Sequence, residues 1–466
     1  MSTSALARPV LPLAELAARL RDLLGEDAVP ESPAPHYSGD RAVRAAEGTG
    51  FVLALPADTA GVQAVLRLAH ETRTPVVPRG AGSGLSGGAV PTEGAIVLGL
   101  ERLTRIREID LLDEVAVVEA GVITADLSAA LAPHGVFYAP DPASVRLSTI
   151  GGNIATNAGG LHCAKYGVTR ESVLGLEVVL ADGTLLRTGH RSLKGVTGLD
   201  LTQLLIGSEG TLAVVTAATV RLRPLPVARR TLLARFASTA AAADGVNAIS
   251  RSPVRPAATE LLDGTTLADI DAHAGSALAD GDSTILLVEL DGYGLDEQTA
   301  DLRAALEPVG AAVREIRDEA EAENLWELRR SGRGTGADGH RLGEDIAVPK
   351  SRLGEIFAEL AAIGERHGVT TSAIAHAGDG NLHPSLSLPR GEDEEPGELP
   401  TALLAAADEL VRAAVELGGT ISGEHGIGTA KRRGLDLELS PASRALQRGL
   451  KTAFDPHHLL NPGKAL

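Results

Sequence analysis

Five glycines fall within the eleven residues from Pro78 to Gly88 (Pro-Arg-Gly-Ala-Gly-Ser-Gly-Leu-Ser-Gly-Gly), immediately after a strand–helix–strand pattern. So dense a run cannot be the interior of a helix or a strand, because each glycine loses the most backbone freedom on ordering. Before it, Phe51-Val-Leu-Ala-Leu55 reads as a buried strand and Ala60–Thr72 as a helix with Thr59 as its cap. A second strand follows at Pro75–Pro78, which completes an α/β unit. A glycine loop at such a strand end lets successive N–H groups converge on phosphate oxygens. It is not a Walker loop, because no Gly-Lys-Ser/Thr closes it, and it is not a clean dinucleotide fingerprint, because no matching βαβ unit with an acidic residue about twenty positions on follows it. Taken alone, the run also fits a plain surface turn.

Two further glycine-rich segments shift that balance. Ser148-Thr-Ile-Gly-Gly-Asn-Ile-Ala-Thr-Asn-Ala-Gly-Gly160 is too rich in glycine for a regular helix or strand core, and Gly207-Ser-Glu-Gly-Thr211 forms a third turn. Three such loops in one α/β region favour an extended nucleotide cofactor over three unrelated turns.

Apolar spacing adds an opening helix at Leu11–Leu24, strands at Ala95–Leu100 and Glu114–Glu119, and a helix at Thr124–Leu131. Leu174–Leu180, the turn at Ala181–Gly183 and Leu185–Thr188 form a hairpin. The prolines of Arg221-Leu-Arg-Pro-Leu-Pro226 mark a boundary, and 466 residues suit two domains. Beyond it, helices Thr239–Ser250, Leu295–Leu306 and Lys350–His367 alternate with strands Thr231–Phe236 and Thr284–Glu289. That alternation predicts an α+β domain with helices on one side of a sheet. Pro400–Leu417 is a strong helix with Gly418 and Gly419 as its C-cap.

Composition narrows the partners. A net charge of −18 and 2% aromatics argue against nucleic acid and anionic membrane surfaces. One cysteine, Cys163, excludes an internal disulfide, a CxxC pair and a self-contained iron–sulfur cluster. No secretory signal pattern opens the chain and no stretch approaches the roughly 18 apolar residues of a spanning helix, so a cytoplasmic protein is expected.

Chemistry concentrates near the C-terminal end. His376-Ala-Gly-Asp-Gly-Asn-Leu-His383 and Glu424-His425-Gly-Ile-Gly428 hold three of the 13 histidines and a carboxylate among glycines. Two imidazoles and a carboxylate are a usual ligand set for a divalent metal with open positions. The third imidazole is then free to act as acid or base.

Together these strings resemble the FAD-linked oxidases of the vanillyl-alcohol oxidase fold. Pro78–Gly88 resembles their pyrophosphate loop, and Pro140-Asp-Pro142, Ile150–Gly160, Lys165-Tyr-Gly167 and Gly207–Leu212 match in order and spacing. The two histidine motifs, with Phe454-Asp-Pro456 and Asn461-Pro-Gly-Lys464, resemble one branch, the FAD-dependent D-2-hydroxyacid dehydrogenases. That branch includes D-lactate dehydrogenases, the catalytic subunit of glycolate oxidase and D-2-hydroxyglutarate dehydrogenase. The resemblance implies an α+β fold: a two-part FAD-binding domain of the vanillyl-alcohol oxidase type over residues 1–225, completed by residues 426–466. An α+β cap domain for substrate then covers residues 226–425.

The resemblance also implies roles. His376, His383 and Glu424 bind a divalent metal, zinc first, with manganese or iron as alternatives, and His425 is the catalytic base. Arg329 grips the substrate carboxylate, and Asn381 and Arg333 are further substrate contacts, Asn381 alternatively shaping its turn. For FAD the first loop supplies Arg79, Gly80, Ala81, Gly82, Ser83, Gly84 and Leu85. Pro140, Asp141 and Ser144 follow, then Thr149, Gly151, Gly152, Asn153, Thr156, Asn157, Gly159 and Gly160. Tyr166, Gly167, Glu209, Gly210 and Asn461 complete the set. No histidine stands at Ser83-Gly84, where some relatives link flavin covalently, so the FAD is expected to be noncovalent.

These roles fit the oxidation of a 2-hydroxy acid by hydride transfer to flavin, with an external quinone, cytochrome or electron-transfer flavoprotein as acceptor. A homodimer stays open. The hydroxyglutarate enzymes use a threonine one turn after the arginine and a lysine before the next strand. Here those places hold Arg333, or Thr335 with a shift of two, and Gly343-Glu344, which favours a small monocarboxylate such as D-lactate or glycolate. Ala213 replaces a usual glycine. The alternatives are oxidation of D-2-hydroxyglutarate or another alcohol, and a non-catalytic FAD-binding subunit of a larger oxidase.

Overall fold

The computed structural model describes residues 11–192, 194–331, 339–390 and 399–466. The chain divides into two compact units. The first comprises the described part of Met1–Gly159 together with Val168–Leu225 and His425–Leu466. The second comprises Gly160–Gly167 and Pro226–Glu424. The short stretch 160–167 thus clusters with the second unit and His425 with the first, unlike the sequence-based boundaries.

In the first unit, strands Phe51–Ala54 and Val76–Arg79 flank Ala95–Gly99 in a parallel sheet. The helix Thr59–Thr72 covers it with Val62, Val65, Leu66 and Ala69, the apolar stripe of a 3.6-residue period. Its cap is Asp58, not Thr59: an Asp58 oxygen accepts the Gly61 N–H at 2.8 Å, while the Thr59 hydroxyl donates to Glu177 at 3.0 Å. The tail extends this layer. Val76 N–H donates to Leu459 O and Asn461 N–H to Val76 O, each at 2.8 Å. A second, antiparallel sheet runs in the order Ile106–Asp110, Val115–Glu119, Val214–Arg221, Val173–Val179, Leu185–Gly189.

The glycine-rich segment expected to be irregular contains a helix, Ile150–Thr156. Thr149 caps it by accepting the Gly152 N–H, and Asn157 ends it at φ 50°. Ile150 and Ile154, one turn apart, are fully buried. Gly151 is required there, because a Cβ would lie 2.6 Å from that of Ala120. Packing and caps override the weak glycine propensity.

The second unit is built on a sheet in the order Ala312–Ile316, Arg229–Phe236, Thr284–Asp291, Ala258–Leu262, Thr370–His376, Asn381–Pro389, Gly339–Gly343, with Ile346–Ala347 also paired to Asn381–Pro389. Helices Thr239–Arg251, Leu295–Leu306, Leu353–His367 and Thr401–Glu416 pack on one face around Leu232, Leu286 and Val288. Helices lie on the other face as well, contrary to the one-sided expectation. Leu233, Ile285 and Leu287 pack there against Leu267, Ile270, Leu325 and Trp326. Thr284–Asp291 is buried at every position, so its neighbours alternate between two apolar layers. Thr401–Glu416 ends as expected at glycine: Gly418 (φ 81°) donates to Val415 O and Gly419 to Ala414 O. Among the described residues, no helix is long and apolar enough to cross a membrane.

Candidate active site

The three residues expected to hold a metal come together within the second unit. Strands Thr370–His376 and Asn381–Pro389 join through a four-residue turn whose Gly380 has φ 91°. A Cβ on Gly380 would meet Val348 O at 2.1 Å, so only glycine fits. In the register His376 faces Asn381 and Ile374 faces His383, which puts both histidines on one face of the hairpin. The rings lie 5.2 Å apart at 87°. Glu424 arrives from the loop after Gly419. Thr420 bridges Ala347, and Asp345, fully buried, accepts the Glu424 N–H at 3.1 Å and the Ser422 hydroxyl at 2.9 Å.

His376 Nε2 and His383 Nε2 then lie 3.6 and 3.2 Å from Glu424 Oε1. The three ligand atoms sit within 4.8 Å of one another. Ligands bound at ~2.1 Å in a tetrahedron are separated by about 3.4 Å, so the spacing and donor types fit zinc or a similar ion. The same strand row contains Glu260, paired directly opposite His376 and fully buried. Its Oε1 is 2.9 Å from His376 Nδ1. Burial alone would lower the His376 pKa, but the charge and hydrogen bond of Glu260, with Glu424, push it up to about 10. For His383 burial outweighs the hydrogen bond and charge of Glu424, 3.2 Å from its Nε2, and pulls it down to about 4. Burial would raise Glu424, yet its two histidines hold it well below the usual carboxylate range.

The residues expected to contact substrate are placed unevenly. Arg329, on the helix Glu319–Ser331, is buried, its Nε and Nη2 on Glu260 at 2.7 and 2.5 Å. Trp326, one turn earlier, anchors that helix by donating to the Thr231 hydroxyl at 3.0 Å. Asn381 donates to Asp345 at 2.8 Å and to Ile346 O at 2.9 Å, so its amide protons fasten the turn. Asp379 closes the same turn on the Asn381 N–H. Arg333 and Thr335 lie outside the described residues.

In the first unit the glycine loops come together. Gly80 abuts the Thr149 hydroxyl. Gly207 and Glu209 N–H donate to Ile154 O and Ala155 O, which joins the third loop to the helix of the second. Asn461 bridges the first and third loops by donating to Gly88 O and Glu209 O. Arg79 is buried and holds the first loop through His36 O, Gly39 O and Ala89 O. Among the described residues no hydrogen bond takes up the N–H groups of Gly80, Ala81, Gly82, Ser83, Gly84 or Leu85. Six uncommitted amides in one glycine loop suit a pyrophosphate.

Other expected FAD residues are engaged internally. Asn153 donates to Thr124, Asn157 accepts the Arg170 N–H, Thr156 donates to Gly152 O and Ser144 O accepts from Leu147 and Ser148. Pro140 and Gly159 are buried, and Asp141 is half-buried in the same turn region as Ser144. Gly160, Tyr166 and Gly167 belong to the second unit, where the Tyr166 hydroxyl and the Lys165 amine both meet Asp291. Gly210 (φ 68°) packs on Pro78. Glu209 is buried; burial raises its pKa, and its two oxygens accept the Ile427 and Gly428 N–H groups at 2.8 Å each. The Ser86 hydroxyl donates to His425 O at 3.0 Å. The turn that follows His425 is therefore pegged by the first and third glycine loops.

Glu260 and Asp345 were missed by sequence reading. The signal for Glu260 was a lone carboxylate inside the apolar run Ala257-Ala-Thr-Glu-Leu-Leu262. Asp345 stands beside Glu344 and offers no such contrast.

The chain matches an FAD binding domain over residues 52–189 and the C-terminal domain of FAD linked oxidases over residues 225–465. The chain belongs to the FAD-linked oxidases and is an FAD-linked oxidoreductase. It is 41% identical to the glycolate oxidase subunit GlcD of Bacillus subtilis over 414 residues, 88% of this chain and 87% of that one. It is 36% identical to a D-lactate dehydrogenase of Archaeoglobus fulgidus over 431 residues, 91% and 93% of the two chains. The fold is that of p-cresol methylhydroxylase, with a TM-score of 0.78 at 18% identity and 97% and 96% coverage. It is the vanillyl-alcohol oxidase fold that the sequence resemblance implied.

Proposed function

We propose that this chain oxidises a small D-2-hydroxy acid, D-lactate or glycolate, to the 2-oxo acid. The first unit is the FAD-binding domain, with the flavin held noncovalently, and the second is the substrate cap. The second unit also holds a divalent metal, zinc first, on His376, His383 and Glu424. The observation that carries this reading is the convergence of those three ligand atoms, with buried carboxylates behind His376 and the Glu424 backbone. The relatives named as glycolate oxidase subunit and D-lactate dehydrogenase support the substrate class. The absence of lysine at Gly343-Glu344 favours a monocarboxylate.

When bound, FAD accepts a hydride and the divalent ion supplies positive charge that makes a hydroxyl more acidic. His425 takes the hydroxyl proton as a neutral imidazole. Arg329 grips the substrate carboxylate through its Nη1–Nη2 end, since its Nε–Nη2 edge lies on Glu260. That grip fixes which face of Cα is presented for oxidation. As the proton and hydride leave, the C–O bond becomes a carbonyl. The two electrons pass to an external quinone, cytochrome or electron-transfer flavoprotein.

Anaerobic bleaching of the flavin band across D- and L-2-hydroxy acids tests this. Bleaching by D-lactate or glycolate is expected. A flavin- and metal-replete sample that bleaches with none of the acids overturns the assignment.

A further inference from the structure

The proposed metal site leaves one group without a role, the fully buried carboxylate of Glu260. It comes from the centre of the sheet, on a strand whose other residues, Ala258, Thr259, Leu261 and Leu262, are also buried. A charge so placed needs partners, and it has two. Oε1 meets His376 Nδ1 at 2.9 Å, and Oε2 meets Arg329 Nε at 2.7 Å and Nη2 at 2.5 Å. Arg329 Nη2 is also 3.4 Å from His376 Nδ1. One ring nitrogen cannot both donate to Glu260 and accept from Arg329. The shorter contact, to an anion, decides that Nδ1 carries the proton and donates it.

We infer that Glu260 is a positioning residue that sets His376 and Arg329 as one rigid group. This rests on the metal reading given above. The Nδ1–H bond fixes the tautomer of His376, leaving the Nε2 lone pair toward Glu424 and an ion. The paired bonds from Nε and Nη2 fix the guanidinium plane, so that its remaining end faces one direction only. A single carboxylate thereby couples the ion's place to the place of the substrate carboxylate. A neutral amide cannot replace it. In Glu260→Gln, an amide oxygen kept on Arg329 leaves the NH2 opposed to the His376 Nδ1–H; an amide oxygen turned to His376 leaves the NH2 opposed to the guanidinium.

The test is zinc binding by competition with a chromophoric chelator on the FAD-loaded full chain, with FAD content and thermal midpoint measured alongside. Wild type is expected to bind one zinc, lost in His383→Ala. Glu260→Gln is expected to keep its FAD and bind zinc about 10–100-fold more weakly. At saturating zinc its KM for the 2-hydroxy acid should stay raised, because Arg329 is no longer fixed. Glu260→Asp keeps the charge but reaches less far, and should fall between the two. If Glu260→Gln does not fold, Glu260→Asp decides. Wild-type zinc affinity in the folded variant overturns the positioning role and leaves the metal reading standing. Absence of zinc binding in wild type overturns the metal reading and this inference with it.

Discussion

The ligand cluster of the second unit and the glycine loops of the first build their sites from opposite materials. In the cluster, side chains face the ligand position and other buried side chains, Glu260 and Asp345, stand behind them. In the loops the backbone N–H groups of residues 80–85 take part in no hydrogen bond among the described residues, and the large side chains are pegs: Arg79, Glu209 and Asn461 bind carbonyls or amides of neighbouring loops. A metal is selected by donor chemistry, which only side chains vary. A pyrophosphate is held by repeated N–H groups, which any residue but proline supplies once glycine lets the chain bend. The two regions should therefore fail separately.

The largest separation is expected from the cluster. Chelation, or His383→Ala, should remove several kcal/mol of rate enhancement and leave the flavin spectrum intact, with zinc or manganese restoring the chelated enzyme. Full turnover in verified metal-free protein would break the contrast. His425→Ala should slow substrate-driven flavin reduction about 10²–10⁴-fold with FAD and metal both retained. Persistent turnover would remove His425 from the base role. Glu209→Gln opposes an NH2 to one of the Ile427 and Gly428 amides and should lower stability by about 1–3 kcal/mol, read as a lower thermal midpoint. An unchanged midpoint would mean the peg carries no weight.

Gly82→Ala strikes the first loop alone. Its φ of 67° costs an L-residue roughly 1–2 kcal/mol, about a tenfold loss of FAD affinity if the loop opens. Its Cβ would also press on the Arg79 guanidinium. Zinc content should not change, and a joint loss of FAD and zinc would show the two sites to be one cooperative device.

The cluster was legible in the sequence as far as its own residues go. His376, His383 and Glu424 stand in glycine-framed strings, and few other pressures put imidazoles there. Their supports were not legible. Glu260 lies 116 residues before His376, and only the strand register makes them neighbours. In the loops the reverse holds. Glycine density marked the fold, but the same strings do not say which polar residues also fasten the loops, as Asn153 and Glu209 do, because both tasks need a polar group in a bend. The helix at Ile150–Thr156 escaped because its caps and its buried isoleucines outweigh the glycines counted against it.

The tail of the first unit has a consequence for how the protein is made. Asn461 and Lys464 fasten Gly88 and Val90, and Leu459 and Asn461 extend the sheet at Val76. These residues leave the ribosome after the whole of the second unit, at about 5–20 residues per second. The glycine loops thus wait some tens of seconds for their last fastening, with the inserted unit already emerged and able to fold. Flavin capture belongs at the end of translation, and a ribosome stalled in the second unit would display a first unit with its parallel sheet formed and an unsecured cradle.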